Sequence, residues 1–496
     1  MLISTNAAQT HRPALAKLRD MALRTSDEFR AGLRDGRRVV YRGARIEDVV
    51  AEPELGPAID HSAVCYDISF DPDHRDLAVD WEDGEPFSAY YRVPRSRADL
   101  EHRGRLIETT SALGGTMIVL KEVGSDALFG LVRTLTGEPL ERAHEYHRYC
   151  RDNDLAIAVA QTDVKGDRSL APHQQADPDL YLHVVAEDAD TITVRGAKVH
   201  TSFSANADEL LVLPTRAMQP ASKDYAVSFA IPVDTPGLTL YVSPYSAGDA
   251  QRNAFEFPIS SRHKMLESLT VFDDVVVPKE RVFLLREPEL AGALATAFVD
   301  YHRFTAISYK LPLLDAYVGG ALEIAEMNGI ARASHVRDKL GQLVAYAETV
   351  RSLRDLAALR AQQGANDVWL PDPLIVNMAK YAFAHGFHDA CARVIDLAGG
   401  LLVTGPGQDD WDDPDVRPVL EKYLAAAVPA EPRLRMLNLI ADLTARDFGG
   451  YQAVLAGHAE GSLEAEKMMI LRSYDAGRAR RYARQLAGLE PAAVTA

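Results

Sequence analysis

Apolar residues recur every three or four positions over long stretches at both ends of the chain, whereas they form short runs in its middle. The helical spacing covers 13–33 and 99–113 in the first third, and 287–327, 334–363, 373–397, 418–445 and 464–488 towards the end. Such spacing gathers the apolar side chains on one face of a helix. One early segment, 38–46, instead alternates around Arg42-Gly43, which predicts a short hairpin.

Six short β-rich runs, separated by Asp, Gly and Pro, occupy the middle of the chain: 180–185, 191–194, 210–213, 226–231, 238–242 and 269–277. Runs at this spacing are typical of a compact β domain of sandwich or barrel type. The long helical segments after them predict a helical bundle. We therefore predict an α+β protein with a mainly helical N-terminal domain (1–155), a β domain (156–285) and a C-terminal helical bundle (286–496).

Charge and cysteine content exclude several classes of protein. The 496 residues include 54 Lys and Arg against 71 Asp and Glu, a net charge of −17, which disfavours nucleic acid and anionic membranes as partners. Cys65, Cys150 and Cys391 have no CxxC spacing, so neither a disulfide framework nor a local metal cluster is predicted. Because no signal-like segment and no apolar stretch of about 18 residues occurs, we expect a cytoplasmic protein.

A polar string at the entrance to the β domain, 151–179, could bind a polar ring system through amides and hydroxyls. An ordered loop between domains explains the same composition, so spacing alone leaves both interpretations open.

Two further strings offer small donors. His200, Thr201 and Ser202 follow a predicted strand and could reach a cofactor heteroatom, or could satisfy the backbone of their own hairpin. Gly399 and Gly400 could present bare amides to a pyrophosphate. Their string lacks the spacing of dinucleotide-binding and Walker motifs, and a helix C-cap explains the glycines equally well.

One helical stripe combines a histidine with a cation. His302, Ala306 and Tyr309 lie at i, i+4 and i+7, with Lys310 alongside. A histidine offers a base that titrates near neutrality, and the lysine offers a charge for an anionic intermediate. A lone helical histidine is more often structural, so the stripe by itself does not establish a catalytic site. Pro312 should end or bend the helix just after Lys310.

Taken together, these strings and several others resemble one flavoprotein family. The family contains 4-hydroxybutyryl-CoA dehydratase (vinylacetyl-CoA isomerase) and the oxygenase component of 4-hydroxyphenylacetate 3-monooxygenase. The matching strings are 41–48 (YRGARIED), 153–169, 175–180 (QADPDL), 195–200 (RGAKVH), 224–230 (DYAVSFA), 271–275 (VFDDV), 333–339 (ASHVRDK) and 398–404 (AGGLLVT). Several look closer to the dehydratase branch. The resemblance implies an acyl-CoA-dehydrogenase-like fold, FAD between the β domain and the C-terminal helices, and a homotetramer.

The sequence departs from the dehydratase branch where that branch binds a [4Fe–4S] cluster. The histidine position of the cluster is His302, but the cysteine seven residues later is Tyr309, and the cysteine pair falls within 114–124, which has no thiol. Hydroxyl and carboxylate groups substitute poorly for thiolates at such a cluster. We therefore expect no iron–sulfur cluster and no dehydration of 4-hydroxybutyryl-CoA.

The sequence also departs from the phenol-hydroxylase branch. The substrate-binding Arg and Tyr of that branch would fall near Val123 and Ala127, and its histidine near Val159. A phenolate oxygen facing apolar side chains loses a few kcal/mol of hydrogen bonding. The resemblance therefore disfavours 4-hydroxyphenylacetate itself as the substrate.

The remaining family positions imply a flavin site and an acid–base set. Gln161, Thr162, Asp163, Arg168 and Ser169 would surround the isoalloxazine, Thr201 or Ser202 would lie near flavin N5 beside His200, and Gly399 and Gly400 complete the predicted cofactor set. Glu267 and Lys310 match active-site positions of the dehydratase branch. The predicted catalytic residues are His302, Lys310, Glu267 and Tyr309, and no metal is predicted.

Two functions follow from these residues, and a third interpretation ranks last. The first is an FADH2-dependent monooxygenase of the two-component type, in which a separate NAD(P)H-flavin reductase supplies the electrons. Its substrate would be a small organic molecule of specialised metabolism. The second is a redox-neutral acyl-CoA isomerase in which His302 and Glu267 move a proton. The third is a cofactor-free structural paralogue, which the retained polar residues disfavour.

Overall fold

The computed structural model describes residues 23–244 and 252–489, and begins with a mainly helical region. Its helices are α1 (Ser26–Gly32), α2 (Gly56–Asp67), α3 (Arg75–Ala78), α4 (Arg97–Leu113), α5 (Leu120–Thr134) and α6 (Gly137–Asp152). Helix α4 confirms the segment predicted at 99–113 and begins where the Ser96 side chain accepts a hydrogen bond from the Asp99 amide. Of the segment predicted at 13–33, residues 13–22 lie outside the described residues.

Two hairpins interrupt these helices. Strands β1 (Val39–Tyr41) and β2 (Ala44–Ile46) form the predicted hairpin around Arg42-Gly43, and β3 (Val79–Glu82) pairs with β4 (Glu85–Ser88). Strand β1 also pairs in parallel with a strand of the β region, Val39 opposite Leu240. The first hairpin therefore extends a sheet that lies on the other side of the predicted boundary at residue 155. The division into three domains stays a prediction.

The β region contains two sheets. Its strands are β5 (Ile157–Ala160), β6 (His183–Glu187), β7 (Thr191–Ser202), β8 (Glu209–Val212), β9 (Val227–Pro232), β10 (Leu238–Val242), β11 (Glu267–Pro278) and β12 (Val282–Leu285). One sheet has the order β2-β1-β10-β11-β7-β6 and the other β12-β9-β8-β5. Phe229 of the second sheet meets Phe272 of the first with ring centroids 6.1 Å apart, and both belong to the shared core.

Strands β7 and β11 matter most for the site. The runs predicted at 191–194 and 269–277 are longer in the structure, reaching Ser202 and starting at Glu267. Glu267 pairs with Ser202 and Ser268 with Thr201. Antiparallel partners that face each other share one side of the sheet, so Glu267 lies beside Ser202 on one face and Ser268 beside Thr201 on the other.

The C-terminal region is helical, with one small hairpin. Its elements are α7 (Pro288–Tyr309), α8 (Leu311–Met327), α9 (Ser334–Leu359), β13 (Gln362–Gln363), β14 (Trp369–Leu370), α10 (Pro373–Ala398), α11 (Leu401–Thr404), α12 (Gln408–Asp412), α13 (Arg417–Tyr423), α14 (Ala430–Thr444), α15 (Asp447–His458), α16 (Leu463–Ser473) and α17 (Ala476–Leu486). Helix α7 ends at Tyr309 and Pro312 lies in the first turn of α8, as predicted from the proline.

Two long helices predicted from the sequence are wrong. The segment 418–445 is divided because α14 begins after Pro429, whose fixed φ and missing N–H suit a helix start. The segment 464–488 is divided at Asp475, whose side chain accepts from the Gly477 amide and caps α17. Among the residues that the structure describes, no helix is long and apolar enough to cross a membrane.

Candidate active site

The paired ends of β7 and β11 hold a buried carboxyl group. Ser202 Oγ lies 3.0 Å from the Glu267 carboxylate, and the Tyr451 hydroxyl of α15 donates to Glu267 Oε1 at 3.0 Å. Burial raises the pKa of Glu267 to about 7, against the opposing effect of these two hydrogen bonds. Glu267 can therefore gain or lose a proton near neutrality, and it links the sheet to the C-terminal helices.

A second carboxylate, Glu460, contacts two of the predicted residues. The Tyr309 hydroxyl donates to its Oε1, and Lys310 Nζ donates to its Oε2 at 2.7 Å. Burial alone would raise the pKa of Glu460, but the charges of Lys310, Lys380 and His302 outweigh burial and lower the pKa to about 2. Glu460 is thus charged at neutral pH, whereas burial lowers the pKa of Lys310 to about 8.

The turn between α15 and α16 directs Glu460 inward. Glu460 has φ 55° and Gly461 has φ 118°, and Arg303 Nε donates to the Glu460 carbonyl at 3.0 Å. A Cβ on Gly461 would lie 2.5 Å from a guanidinium nitrogen of Arg303. The turn therefore needs glycine at this position, both for its φ and for the close approach of Arg303.

His302 is oriented by a buried aspartate. Its Nδ1 lies 3.2 Å from Asp126 Oδ2, and its ring stacks on Phe298 with centroids 5.0 Å apart. The Asp126 side chain is 0% exposed, and its other oxygen accepts from Arg103 at 2.6 Å and from Thr305 at 2.9 Å. An imidazole held by a carboxylate in this way has a fixed orientation, which suits a general base.

Electrostatic effects join these groups into one centre. Burial is the main reason why the pKa of Tyr309 lies well above its usual range, and the charges of Glu460, Glu122 and Glu267 raise it further. Glu460 also raises the pKa of Glu267. Tyr309 and Lys310 therefore bind the Glu460 carboxylate directly, whereas His302 and Glu267 interact with its charge.

Among the predicted flavin residues, Ser202 lies at this centre and Thr201 directly precedes it on β7. Ser202 binds Glu267, as described above. Thr201 is 0% exposed, and its hydroxyl has no hydrogen-bond partner among the described residues. An unpartnered buried hydroxyl costs about 1–3 kcal/mol, so the position fits a ligand heteroatom. The residues present therefore fit the polar edge of a flavin here.

Gln161, Thr162 and Asp163 follow β5 and are joined to β7. The Asp163 carboxylate forms a buried ion pair with Lys198 at 2.6 Å, and the carbonyl oxygen of Gln161 accepts from the same ammonium at 2.9 Å. The Thr162 carbonyl accepts from the Val199 amide. In this arrangement the Asp163 side chain holds Lys198, while the side chains of Gln161 and Thr162 are half-buried.

The remaining predicted cofactor residues are not brought to the centre. Arg168 and Ser169 are exposed, and Ser169 is used locally, with its amide and hydroxyl donating to Asp167 Oδ1 at 2.9 and 2.6 Å. His200 is exposed with φ 56°. Gly399, the C-cap of α10, and Gly400 are also exposed, as the helix-cap interpretation of those glycines expects.

Sequence reasoning missed Glu460, Tyr451 and Asp126. Glu460 stands before Gly461 between two helices, a pattern typical of an exposed turn, and nothing local indicates that its side chain is buried. Asp126 lies in a helix whose apolar pattern was overlooked between 120 and 134. The amphipathic spacing of that helix is a signal from which the helix carrying Asp126 can be predicted. No such signal in the sequence indicates that Glu460 is buried.

No metal-binding cluster among the described residues, and neither of two surface cavities, coincides with this centre. Within 23–244 and 252–489, no three His, Cys, Asp or Glu side chains are grouped as metal ligands require. A cavity of about 460 Å³, lined by residues including Trp81, Tyr91 and His147, lies against α6 and the β3–β4 hairpin. We assign the chemistry to the buried centre because its ionisable groups converge there, whereas most charged groups around the cavity are exposed.

Two sheets lie between two helical regions, and acid–base groups and an unpartnered hydroxyl lie where the sheets meet the helices. This arrangement defines the class of acyl-CoA-dehydrogenase-like flavoenzymes. Comparison with known proteins gives the family. Residues 25–284 match the model "4-hydroxyphenylacetate 3-hydroxylase N terminal" and residues 291–488 match the corresponding C-terminal model. The chain belongs to the 4-hydroxyphenylacetate 3-hydroxylase family.

Both branches of the family appear among the curated relatives. The chain is 31% identical to 4-hydroxybutyryl-CoA dehydratase/vinylacetyl-CoA-Δ-isomerase of Clostridium aminobutyricum, over 94% of this chain and 100% of that protein. It is 30% identical to the oxygenase component of 4-hydroxyphenylacetate 3-monooxygenase of Thermus thermophilus, over 83% of this chain and 86% of that protein.

Solved structures give the same two branches. An oxygen-tolerant archaeal 4-hydroxybutyryl-CoA dehydratase from N. maritimus superposes with a TM-score of 0.88 at 27% identity, covering 95% of this chain and 96% of that one. The oxygenase component HpaB complexed with FAD also gives 0.88 at 27% identity, covering 93% and 98%. The predicted family, fold class and flavin-dependent monooxygenase type of enzyme are confirmed.

Proposed function

We propose that this protein is the oxygenase component of a two-component monooxygenase that uses FADH2 and O2 to oxygenate a small organic substrate. A separate NAD(P)H-flavin reductase would supply the reduced flavin. Relatives named as oxygenase components support this proposal, as does the FAD in the related HpaB crystal structure. We further propose a homotetramer, a cytoplasmic location and a role in specialised metabolism.

The observation that carries the proposal is the buried Thr201 hydroxyl beside the Glu267–Ser202 pair. This edge of the centre offers a donor that no described residue uses. Thr201 and Ser202 would hold the polar edge of the ring system, with Gln161, Thr162 and Asp163 behind them and His200, Arg168, Ser169, Gly399 and Gly400 towards the rest of the coenzyme. When bound, the reduced flavin supplies the activation of O2.

The residues of the chain would move protons and hold charge. His302, oriented by Asp126, would accept a proton from the substrate, since a positioned imidazole is an effective general base near neutral pH. Glu267 is protonated for part of the time at neutral pH and would return a proton. Lys310 and the Tyr309 hydroxyl, both bound to Glu460, would stabilise negative charge that develops on the substrate.

Three family positions bear on the identity of the substrate. Val123, Ala127 and Val159, which stand near the positions of the phenol-binding residues in the hydroxylase branch, present only apolar side chains. A substrate whose polar group reaches Lys310 and His302 instead would bind without leaving an unsatisfied oxygen at those three residues. We therefore propose a substrate other than simple 4-hydroxyphenylacetate.

An iron–sulfur cluster does not fit the residues at this centre. Tyr309, which stands where the dehydratase branch has a cysteine, has its hydroxyl bound to Glu460, and a phenol substitutes poorly for a thiolate at such a cluster. Cys65 and Cys150 are free and buried, but neither lies among the residues that contact Glu460. We propose that the protein works without a cluster.

A redox-neutral acyl-CoA isomerase is the second candidate. The retained acid–base pair of His302 and Glu267, together with the similarity to a vinylacetyl-CoA-Δ-isomerase, favours it. Proton removal and return by these two groups would shift a double bond without net oxidation.

One experiment separates the two functions. The purified protein is given FAD, a flavin reductase, NADH and a panel of small aromatic and amine substrates in air, and oxygenated product is measured against released H2O2. In parallel, vinylacetyl-CoA is incubated under nitrogen without reductant. Oxygenated product only in the first arm supports the oxygenase, whereas isomerised thioester only in the second arm refutes it. His302→Ala should abolish whichever activity is present without unfolding the protein.

A further inference from the structure

Helix α16 lies at the surface, yet the only buried side chain among its residues is a glutamate. Glu466 is 0% exposed, whereas Glu464 and Lys467 on the same helix are 78% and 48% exposed. The inward position of a surface helix is normally apolar. Packing alone therefore does not account for Glu466.

The Glu466 carboxyl group has no hydrogen bond. Neither of its oxygens has a hydrogen-bond partner among the described residues, and its nearest cation, Lys380 Nζ, is 3.9 Å away. That separation exceeds an ordinary hydrogen bond. A fully charged carboxylate in this place would be left with its desolvation cost largely unmet.

A line of ionisable groups runs from Glu466 to the candidate active site. Lys380 lies between two carboxylates, 3.6 Å from Glu460 Oε2 and 3.9 Å from Glu466 Oε1, while its ammonium donates to the Ala456 carbonyl at 3.2 Å. Glu460 in turn accepts from Lys310 and Tyr309. Each neighbouring pair is close enough for a proton to pass directly or through one water molecule.

The charges facing Glu466 come from three elements. Arg303 approaches it from α7, Lys380 from α10, and Glu460 from the preceding turn; Lys310 acts from farther away. Burial raises the pKa of Glu466 to about 7, against Lys380 and Arg303, which lower it. The carboxyl group is thus neither always charged nor always neutral at physiological pH.

We propose that Glu466 is the proton reservoir of the active site, exchanging a proton with Lys310 through Lys380 and Glu460. Glu466 touches neither substrate nor flavin and acts through Lys310, so it is a positioning residue. The inference concerns the centre described under the proposed function and rests on that function only for its kinetic test.

The proton balance is simple. When Lys310 gives a proton to a group in the pocket, a proton from the Lys380 ammonium reaches Lys310 by way of Glu460. The O–H bond of Glu466 then breaks and restores the N–H bond of Lys380. The net change is the loss of one proton by Glu466 and the gain of one by the pocket, with no electrons transferred. Solvent at the α16 surface later returns the proton.

The first test uses protein without flavin or substrate. Infrared difference spectra between pH 5 and pH 9 should show the carbonyl stretch of carboxylic acids that lose their proton between these two pH values. Glu267 and Glu466, each with a pKa of about 7, are among them. Glu466→Gln should remove one part of this signal and Glu267→Gln a separate part, while other buried carboxyl groups with a raised pKa, such as Glu209 and Asp300, keep theirs. The matched control, Glu464→Gln, changes an exposed residue of the same helix and should leave the signal intact.

The second test measures turnover against pH. Removing the Glu466 charge takes away one influence that raises the pKa of Lys310, so the alkaline limb of the kcat profile should move to lower pH by about 1 unit in Glu466→Gln. Glu464→Gln should keep the wild-type limb. A merely structural role for Glu466 would lower kcat equally at every pH.

The outcomes separate this inference from the proposed function. A full infrared signal in Glu466→Gln, or an unmoved alkaline limb in an active protein, overturns the reservoir. Loss of part of the signal in Glu466→Gln, but not in Glu464→Gln, supports a titrating Glu466 even if no oxygenated product is ever formed. In that case the proposed function fails on its own test.

Discussion

Replacing Glu460 with glutamine is the sharpest single perturbation of this site. Glu460→Gln keeps the shape of the side chain and an oxygen that can accept from Tyr309, but it removes the charge that neutralises Lys310 and Lys380. The side chain is 4% exposed and Lys310 is 1% exposed, so water cannot replace the lost charge. We expect the variant to fold with lower stability.

Two arguments give the magnitude. The native pKa of about 2 lies below the usual 4.5 of a glutamate, and a difference of roughly 2.5 units corresponds to about 3 kcal/mol of stability at neutral pH. Breaking one partner of a buried ion pair costs about 3–5 kcal/mol in other proteins. We therefore expect a loss of about 3 kcal/mol, because deprotonation of Lys310, whose pKa is already lowered to about 8, relieves part of the cost.

The assay is urea unfolding of the two proteins at several pH values. A group with a depressed native pKa contributes stability above its unfolded pKa and loses that contribution as pH falls through its native pKa. The difference between wild type and Glu460→Gln should therefore be full at pH 7, begin to shrink near pH 4.5 and approach zero near pH 2. Glu464→Gln serves as the control, since Glu464 is 78% exposed.

A difference below about 1 kcal/mol at pH 7, the range expected of an exposed ion pair, would refute the reasoning. So would a difference that stays constant between pH 7 and pH 3, because the cost would then come from packing rather than from charge.

Three further predictions test the surroundings. The native pKa of Glu267, about 7, lies above its usual 4.5, so the stability of the wild-type protein falls as pH rises from 4.5 to 7. In urea unfolding, Glu267→Gln should be more stable than wild type by up to about 3 kcal/mol at pH 8 and equal to it at pH 4. Asp126→Asn frees the His302 ring and should lower kcat tenfold or more, with an unchanged circular dichroism spectrum; wild-type kcat would count against His302 as a base. In Gly461→Ala the new Cβ would lie 2.5 Å from Arg303, at a φ unfavourable for alanine, and the free energy of unfolding should fall by about 1–3 kcal/mol. Gly450→Ala, whose Cβ would lie in open space within α15, should not lower it.

Local pattern was sufficient for most of the architecture. The hairpin at 39–46, the helix at 99–113 and the break before Pro312 each follow from short-range rules of spacing, turn residues and proline geometry. The two merged helices at 418–445 and 464–488 were wrong because apolar spacing continues across a proline and an aspartate cap, although the backbone does not.

The candidate site divides in the same way. The sequence by itself indicated His302, Lys310, Tyr309 and Glu267, because residue types and family positions are local information. Only the tertiary structure decided that Tyr309 and Lys310 bind Glu460, about 150 residues further along the chain, and that Asp163 is bound to Lys198. The charge state of a buried group depends on which distant charges are packed against it and on how much water is excluded, and neither quantity is encoded in any one segment of the chain.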